Sequence, residues 1–345
     1  ILVLTLSLFI YYQNNILKKK LMNKILITGA NGYIGSCLFH VLKEKFKVIG
    51  IDKEKSKNKK VFQCNILNSR KLHLLIKQEK PDLIIHLAAQ SLVDETINKK
   101  KYFDNNVLAT SNLLKVMKKN NVQKIIFSST AAVYKQSSKP LKEKSKIQAL
   151  STYAKTKLIC EKKIKNQKNI KFVILRFFNV CSALDKPIVG EFHNPETHLI
   201  PTIVYKALYN MKIYIYGKDF KTFDGTCIRD YIHIKDICNA IEKSTKFLLT
   251  KNKSDIFNIG SHKGLSNDEI IHYLKKIIKK KINISYVNRR KGDVSRLICN
   301  SNHIHKTLNW SAKNSNLKKI ISDEIIWIKK FRYKGLSRTF KNYLK

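Results

Sequence analysis

The 345-residue sequence is poor in acidic residues: 24 aspartates and glutamates stand against 68 lysines and arginines, for a formal net charge of +44. Such an excess is typical of proteins that bind nucleic acids. The sequence nevertheless lacks an arginine-rich arm, a zinc-ligand spacing and an aromatic RNA-binding signature, and its lysines are scattered through every segment. We therefore predict no specific nucleic-acid partner, only nonspecific adhesion to polyanions at low salt.

Paired cysteines are missing too. The seven cysteines are spread along the chain without a C-x-x-C pair, and the ten histidines make no metal-ligand spacing. An odd, unclustered set of cysteines in a chain of this length indicates reduced thiols and not a disulfide framework. We therefore predict a cytoplasmic protein that binds no metal.

The sequence also lacks a long apolar run. Residues 1–12 are apolar but too short to span a bilayer comfortably, and neither a basic n-region nor a small-residue cleavage site accompanies them. Met22 stands just ahead of the first predicted strand. We expect residues 1–21 to be an extension outside the fold and predict no membrane partner; the alternative is a membrane anchor.

A glycine-rich turn lies between a predicted strand and a predicted helix. The apolar run Ile25–Ile27 leads into Gly29, Gly32 and Gly35, and helical spacing follows. Gly29 permits the tight turn, Gly32 lets backbone N–H groups approach a pyrophosphate, and Gly35 lets the helix pack close to the strand. The positive end of the helix then holds the phosphates. Because this spacing is one residue wider than the usual dinucleotide fingerprint, the turn alone leaves an ordinary strand–turn–helix open.

An acidic residue closes the second predicted strand, at 47–51. Asp52 can hydrogen-bond the ribose hydroxyls of an adenosine and would repel a 2′-phosphate, so NAD is predicted in preference to NADP. Lys53 beside it weakens this preference.

The rest of the pattern alternates strands with helices. Further strands are predicted at 61–63, 83–86, 124–128, 171–176, 231–234 and 257–259, and helices at 69–79, 98–120, 153–164, from about 236, after 266 and at 317–331. This alternation is typical of an α/β fold with a doubly wound parallel (Rossmann) sheet. The irregular stretch 177–225 predicts a smaller α/β substrate-binding lobe at the carboxyl edge of that sheet.

Tyr153 and Lys157 are four residues apart on one predicted helix, so their side chains project from the same face. A tyrosine with a pKa near 10 is a poor base at neutral pH, but a nearby ammonium, aided by a nicotinamide cation, stabilises the phenolate. Ser128–Thr130 ends a predicted strand and should place its hydroxyls at the same edge of the sheet. The Y-x-x-x-K spacing alone is a frequent accident; its order after the glycine turn and the Ser/Thr strand end carries the interpretation.

Eight motifs carry a family resemblance. They are Thr28–Ser36, His86–Ala89, Phe103–Val107, Phe127–Tyr134, Arg176–Val180, Asn194–Pro201, Asp224–Ile234 and Arg289–Asp293. Through them residues 24–330 resemble the extended short-chain dehydrogenase/reductase family, and within it the UDP-hexose 4-epimerases. The last four motifs are the more specific, above all DGTCIRDYIHI at 224–234.

The resemblance implies a catalytic set of Tyr153, Lys157 and Thr130. It implies cofactor contacts at Gly29, Gly32, Tyr33, Ile34, Gly35, Asp52, Asn65, Ile66, Ala88, Ala89, Asn105, Ser128, Tyr153, Lys157 and Phe178. It implies nucleotide-sugar contacts at Thr130, Asn179, His198, Leu199, Arg229, Arg290, Asp293 and Leu297. The domains expected from it are 22–176 for NAD, with returning segments near 231–260, and 177–339 mainly for the nucleotide-sugar.

The activity that the resemblance implies is the interconversion of UDP-glucose and UDP-galactose: C4 is oxidised, the 4-keto sugar rotates, and it is re-reduced with NAD retained. It also implies a homodimer that pairs the 98–120 and 153–164 helices. Leu297 replaces a frequent tyrosine, which predicts room for UDP-N-acetylhexosamines as well. Asn65 replaces the usual aspartate against adenine, Lys135 a glycine and Phe177 a tyrosine.

Alternatives stay open for residues and for function. His198 could be an ordinary loop histidine, and the two arginines could pair only with Asp230 and Asp293. The chain could instead be a uronate epimerase, a 4,6-dehydratase or a non-catalytic NAD-binding protein on the same fold. The dehydratase reaction needs acid/base groups where this sequence has Ala131 and Ala132.

Overall fold

The computed structural model describes residues 22–91, 98–191, 196–279, 281–290 and 292–333. The apolar segment 1–12 and the predicted extension 1–21 lie outside the described residues. So do Asn194, Pro195 and Lys291 of the motifs above, and residues 334–339 of the expected second lobe. Within the described part of the chain, no helix combines the length and the apolar character needed to cross a membrane.

The strands of the described residues are numbered in chain order. They are β1 (Lys24–Thr28), β2 (Lys47–Asp52), β3 (Val61–Gln63), β4 (Leu83–His86), β5 (Lys124–Thr130), β6 (Lys171–Phe177), β7 (Asn179–Cys181), β8 (Ala183–Asp185), β9 (Ile188–Gly190), β10 (Ile213–Tyr216), β11 (Ile228–His233), β12 (Asp255–Ile259), β13 (Gly264–Ser266), β14 (Ile284–Val287) and β15 (Arg296–Leu297).

The helices are numbered in the same way. They are α1 (Tyr33–Leu42), α2 (Ser69–Glu79), α3 (Lys99–Tyr102), α4 (Ala109–Lys119), α5 (Thr152–Lys165), α6 (Leu199–Leu208), α7 (Ile234–Lys251), α8 (Asn267–Ile278), α9 (Asn302–Leu308) and α10 (Leu317–Tyr333). A π-helical turn, Phe103–Leu108, joins α3 to α4, and a 3₁₀ turn, Ala131–Val133, follows β5. The helix predicted over 98–120 is therefore one helical stretch that widens in its middle.

Seven strands form the central sheet, in the order β12-β6-β5-β4-β1-β2-β3, and every pair is parallel. Strands β1 and β4 are almost continuous apolar runs because helices cover both faces of the sheet. The predicted doubly wound parallel sheet is thus confirmed. The chain leaves β1 and β4 in opposite directions across the sheet, and the crevice between their carboxyl ends is where such sheets bind ligands.

The predicted strand at 231–234 differs in its bounds. Strand β11 begins three residues earlier, at Ile228, and ends at His233, whose Nδ1 accepts a hydrogen bond from the N–H of Lys235 at 3.0 Å. This cap starts α7 at Ile234, ahead of the position that periodicity indicated. Strand β11 pairs with β7, β13 and β15 and not with the central sheet.

The second lobe is built from short pieces. Strands β10 and β14 make a two-stranded parallel sheet, and β8 and β9 make an antiparallel pair. Helices α6, α8 and α10 share a separate apolar cluster that includes Ile203, Ile271 and Ile321. Residues beside these elements, Asn179, His198 and Arg229 among them, line one cavity together with the glycine turn.

Candidate active site

A cavity of about 740 Å³ opens at the carboxyl ends of the central strands. Its volume lies in the range of small-molecule and cofactor sites. Every site residue predicted from the sequence lines it except Arg290. The topology therefore brings together residues that are up to 268 positions apart in the chain, from Gly29 to Leu297.

The glycine turn at one end of the cavity needs glycine at two positions for steric reasons. Gly29 has a φ of +70°, and a Cβ there would lie 2.8 Å from the backbone nitrogen of Ala88. A Cβ on Gly35 would lie 2.0 Å from the carbonyl oxygen of Gly29. These are the tight turn and the close strand–helix approach that the spacing predicts.

Gly32 differs from the other two glycines. A Cβ on it would meet only the carbonyl oxygen of Gly29, at 3.3 Å, and its backbone is extended. It is the N-cap of α1, and no side chain caps that helix. The first turn of α1 thus directs its N–H groups and positive dipole end at the cavity, as an anion site requires.

Asp52 borders the cavity at the end of β2. Its Oδ2 accepts a hydrogen bond from the N–H of Asn31 at 3.0 Å, and its Oδ1 accepts one from the N–H of Glu54 at 3.1 Å. These bonds fix the carboxylate beside the glycine turn and leave it further lone pairs for ribose hydroxyls. Asn65 lies farther along this edge, where its Oδ1 accepts from the N–H of Leu67 at 3.0 Å.

Tyr153, Lys157 and Thr130 lie together on the opposite wall of the cavity. The Thr130 side chain hydrogen-bonds Tyr153, which lowers the pKa of the phenol, but burial outweighs this and raises that pKa to about 12. Lys157 donates from Nζ to the carbonyl oxygen of Ser128 at 2.7 Å, and its Nζ lies 6.0 Å from the centroid of the Tyr153 ring. Burial lowers the pKa of Lys157 to about 8.

Two polar clusters that sequence reasoning missed hold the loop after β4. Both ring nitrogens of His86 form hydrogen bonds, Nδ1 with Thr28 Oγ1 at 2.7 Å and Nε2 with Thr110 Oγ1 at 3.0 Å. Burial lowers the pKa of His86 to about 3, so the ring is neutral. Buried Asn106 accepts from the N–H of Gln90 at 2.7 Å and donates to Thr156 Oγ1 at 2.9 Å. The motifs contained His86 and Asn106, but only the fold shows what they bind.

The cavity is also lined by the residues predicted to contact a nucleotide-sugar, among them Asn179, Arg229, Asp293 and Leu297. Arg229 NH2 lies 3.8 Å from Asp293 Oδ1, and NH1 donates to the carbonyl oxygen of Ile228 at 3.0 Å. Arg229 and Leu297 are register partners in the β11–β15 pair, so they line the same part of the cavity. Arg290 instead stacks its guanidinium over the Tyr216 ring, 4.0 Å from the centroid.

His198 lines the cavity as the N-cap residue of α6, beside two buried glutamates. Its Nδ1 lies 2.5 Å from Glu191 Oε1 and 3.8 Å from Glu196 Oε1. Among the described residues this is a trio whose ligand-type atoms lie close enough for a metal ion. His198 and Glu191 contact each other directly, as an imidazole–carboxylate pair, and the absence of a metal stays a prediction.

Comparisons with known proteins agree with this geometry. Residues 25–260 match the family described as "NAD dependent epimerase/dehydratase family". The UDP-glucose 4-epimerase of Lactobacillus helveticus is 36% identical over 320 residues, which cover 89% of this chain and 97% of that protein.

Solved structures are similar as well. The UDP-glucose 4-epimerase of Bifidobacterium longum, in complex with NAD+ and UDP, has a TM-score of 0.82 and 27% identity, and the match covers 89% of this chain and 98% of that one. The UDP-Glc/GlcNAc 4-epimerase of Campylobacter jejuni has a TM-score of 0.76 and 32% identity, over 89% of this chain and 99% of that one.

Proposed function

The chain belongs to the NAD dependent epimerase/dehydratase family, and we propose that it interconverts UDP-glucose and UDP-galactose by inverting C4 of the hexose. The observation that carries this is the convergence, in one cavity, of the glycine turn with Tyr153, Lys157 and Thr130. The reaction is redox-neutral overall, so the cofactor is retained and not consumed.

The residues present fit NAD. The positions where a Cβ would clash, Gly29 and Gly35, form a turn next to the first turn of α1, which no side chain caps. Gly32 lines the cavity at this turn and carries no side chain that would occupy the space of a pyrophosphate. Asp52 lies where a ribose would follow. When bound, NAD supplies a hydride acceptor and donor next to the sugar C4.

We propose that Tyr153 moves the proton of the C4 hydroxyl. Because burial raises its pKa to about 12, the phenol is neutral at pH 7 unless positive charge is brought close. Lys157 is the cation of the catalytic set, and its Nζ lies 6.0 Å from the centroid of the Tyr153 ring. Thr130 shares the proton through its hydroxyl. After the 4-keto sugar turns about its anchored UDP, the opposite face of C4 is presented for re-reduction, and Tyr153 returns the proton to the C4 oxygen.

We propose that Arg229, Asn179, His198 and Leu199, which all line the cavity, anchor the UDP. A guanidinium matches two phosphate oxygens with its planar fork, and the carboxylate nearest to Arg229, that of Asp293, approaches it only to 3.8 Å. Arg290 would have to leave the face of Tyr216 to join it. We propose that it does so when the diphosphate arrives.

The test is a coupled assay with UDP-galactose, after mass spectrometry of the purified protein for bound NAD. Conversion to UDP-glucose with NAD retained is expected. Turnover of UDP-glucuronate without UDP-galactose would favour a uronate epimerase, and NAD binding without turnover would favour a non-catalytic protein. A 4,6-dehydratase is disfavoured because Ala131 and Ala132 line the cavity without acid or base groups.

We also propose that the pocket admits UDP-N-acetylhexosamines. Leu297 and Ser91 both line the cavity, and the Leu297 side chain is smaller than the tyrosine that it replaces, which leaves more room for an acetamido group. The similar Campylobacter jejuni protein acts, by its name, on UDP-Glc and GlcNAc forms. Turnover of UDP-N-acetylgalactosamine by the wild-type enzyme tests this proposal.

We propose a homodimer that pairs the α3–α4 stretch and α5 into a four-helix bundle. Large apolar side chains are exposed on or beside these helices: Phe103 is 43% exposed, Leu108 49% and Leu150 58%. A second copy would cover such groups. Light scattering after size exclusion should give twice the chain mass, and Leu108→Glu should lower it.

The expected division into an NAD part, 22–176 with returning segments near 231–260, and a nucleotide-sugar part, 177–339, is retained as a proposal. Strand β12 and helix α7 support the return, because they pack on the edge and face of the central sheet. All seven cysteines are buried and unpaired, which supports the proposed cytoplasmic location.

A further inference from the structure

Three successive residues at the end of β5 are held by three successive turns of α5. Ser128 accepts from Lys157 Nζ through its carbonyl at 2.7 Å, and Thr130 hydrogen-bonds Tyr153. Between them, Ser129 donates from Oγ to Glu161 Oε1 at 2.5 Å. Since Tyr153, Lys157 and Glu161 are spaced by four, they lie on one face of the helix.

Glu161 is fully buried and forms a bidentate ion pair. Arg176 donates to its Oε1 from Nε at 2.9 Å and to its Oε2 from NH2 at 2.6 Å. Arg176 lies on β6 directly opposite Ser129 in the β5–β6 register. One carboxylate therefore joins the catalytic helix to two neighbouring strands of the sheet.

The pair also reaches the turn after Thr130. Arg176 NH1 donates to the hydroxyl of Tyr134 at 2.8 Å, and that hydroxyl donates to Asn258 Oδ1 at 2.7 Å. Replacing a buried ion pair with apolar groups of similar volume is often neutral or stabilising, so stability alone is a weak reason for this network. Its geometry points to another use, since its Ser129 arm ends on the cavity wall, between Ser128 and Thr130.

We propose that Glu161 is a positioning residue for the reaction proposed above: it fixes the end of β5 against α5 so that Thr130 and the Ser128 carbonyl meet Tyr153 and Lys157. Glu161 does not line the cavity. It therefore acts on turnover and not on substrate binding, and this inference rests on the proposed function.

Glu161 also influences the charge of Lys157. Burial lowers the pKa of Lys157 to about 8, while Cys160 and Glu161 on the same helix raise it. From the strands packed against it, β5 contributes the Phe127 ring, 4.7 Å from Nζ, and β4 contributes His86, which is neutral. Loss of the Glu161 charge should therefore lower the pKa of Lys157 further and move the alkaline fall of activity to lower pH.

The experiment uses Glu161→Gln alone and combined with Arg176→Met, which removes the uncompensated cation. The double variant should regain most of the thermal stability that Glu161→Gln loses. Its kcat should stay about 10- to 100-fold below the wild type, the scale of a misplaced catalytic group, with an unchanged KM for UDP-galactose. Its alkaline limb should lie at lower pH. Glu242→Gln, which loses a remote ion pair with Lys45, is the matched control and should keep wild-type kinetics.

Ser129→Ala gives an independent readout if the double variant fails to fold. This substitution removes only the hydrogen bond from Ser129 Oγ to Glu161 Oε1 and keeps the charges of Glu161 and Arg176. The kcat should therefore fall while the pH profile stays unchanged. A stable double variant with wild-type kcat and pH profile, or Ser129→Ala with wild-type kcat, would overturn the proposal. A wild-type protein without epimerase activity would instead refute the proposed function.

Discussion

Lys157→Met is expected to make the protein more stable at pH 7 while it abolishes most of the activity. The Lys157 side chain is almost completely buried, and its charged head contacts the Ser128 carbonyl at 2.7 Å and the Phe127 ring at 4.7 Å. Methionine fills a similar volume without a charge. The variant therefore trades a costly buried ammonium for an apolar contact.

The size of the effect follows from the pKa. Burial lowers the pKa of Lys157 from 10.5 to about 8, which at about 1.4 kcal/mol per pH unit corresponds to ~3 kcal/mol for holding the charge at pH 7. The variant also loses the hydrogen bond to the Ser128 carbonyl, which lowers its free energy of unfolding by ~1 kcal/mol. A net gain of ~2 kcal/mol in the free energy of unfolding is therefore expected for the methionine variant at pH 7.

The gain should depend on pH with a definite sign. Between pH 8 and 10.5 the unfolded chain keeps the proton on Lys157 and the folded chain releases it, so the wild type becomes more stable as pH rises. The methionine variant has no such rise, and its advantage should disappear by about pH 10.

Urea titrations of both nucleotide-free proteins at pH 7 and pH 10 measure this difference, with the exposed neighbour Lys155→Met as a control that should change stability little. Turnover of UDP-galactose should fall at least about 10²-fold in Lys157→Met, because Tyr153 loses its partner charge. If Lys157→Met were less stable than the wild type at pH 7, and less stable by the same amount at pH 10, the buried ammonium would not be destabilising.

Four further substitutions test the rest of the site. Tyr153→Phe should retain NAD, measured by mass spectrometry, and lose at least about 10²-fold in turnover; near-normal turnover would remove Tyr153 from its role. Gly35→Ala should prevent stable folding or NAD binding, since its Cβ would lie 2.0 Å from a carbonyl oxygen, whereas Gly32→Ala should melt near the wild type and only weaken NAD binding. Leu297→Tyr should lose about tenfold or more in activity on UDP-N-acetylgalactosamine and keep UDP-galactose activity, as overpacking costs ~1–3 kcal/mol; equal losses on both sugars would refute the size argument.

The glycine turn and the catalytic helix could be predicted because their physics is local. The steric need for Gly29 and Gly35 arises between residues that are close in sequence or on neighbouring strands, and the four-residue spacing of Tyr153 and Lys157 fixes a helix face. The parallel sheet followed from buried apolar strands at regular intervals. Patterns of this kind can be recognised in a single sequence without any knowledge of tertiary contacts.

The second lobe could not be predicted in the same way. Strands β7, β8 and β9 have three residues each, too few to show a periodic pattern. Strand β7 pairs with the distant β11, and β8 and β9 pair with each other. The position of Arg290 over Tyr216 depends on the β10–β14 pair, which joins residues about 70 positions apart. Glu161 gave no signal for a related reason: its partners Ser129 and Arg176 meet it only when β5 and β6 lie side by side.

The basic excess of the chain does not extend into its cavity. Among the described residues that line the cavity, four are acidic and three are lysine or arginine, against 24 and 68 in the whole sequence. A general positive field raises encounter rates with anions but cannot place a diphosphate. Placement requires directed donors in a shielded cavity, which here are the first turn of α1 and the Arg229 guanidinium. Net charge, the most conspicuous property of this sequence, is therefore a poor guide to its ligand, whereas a few fixed N–H groups are a good one.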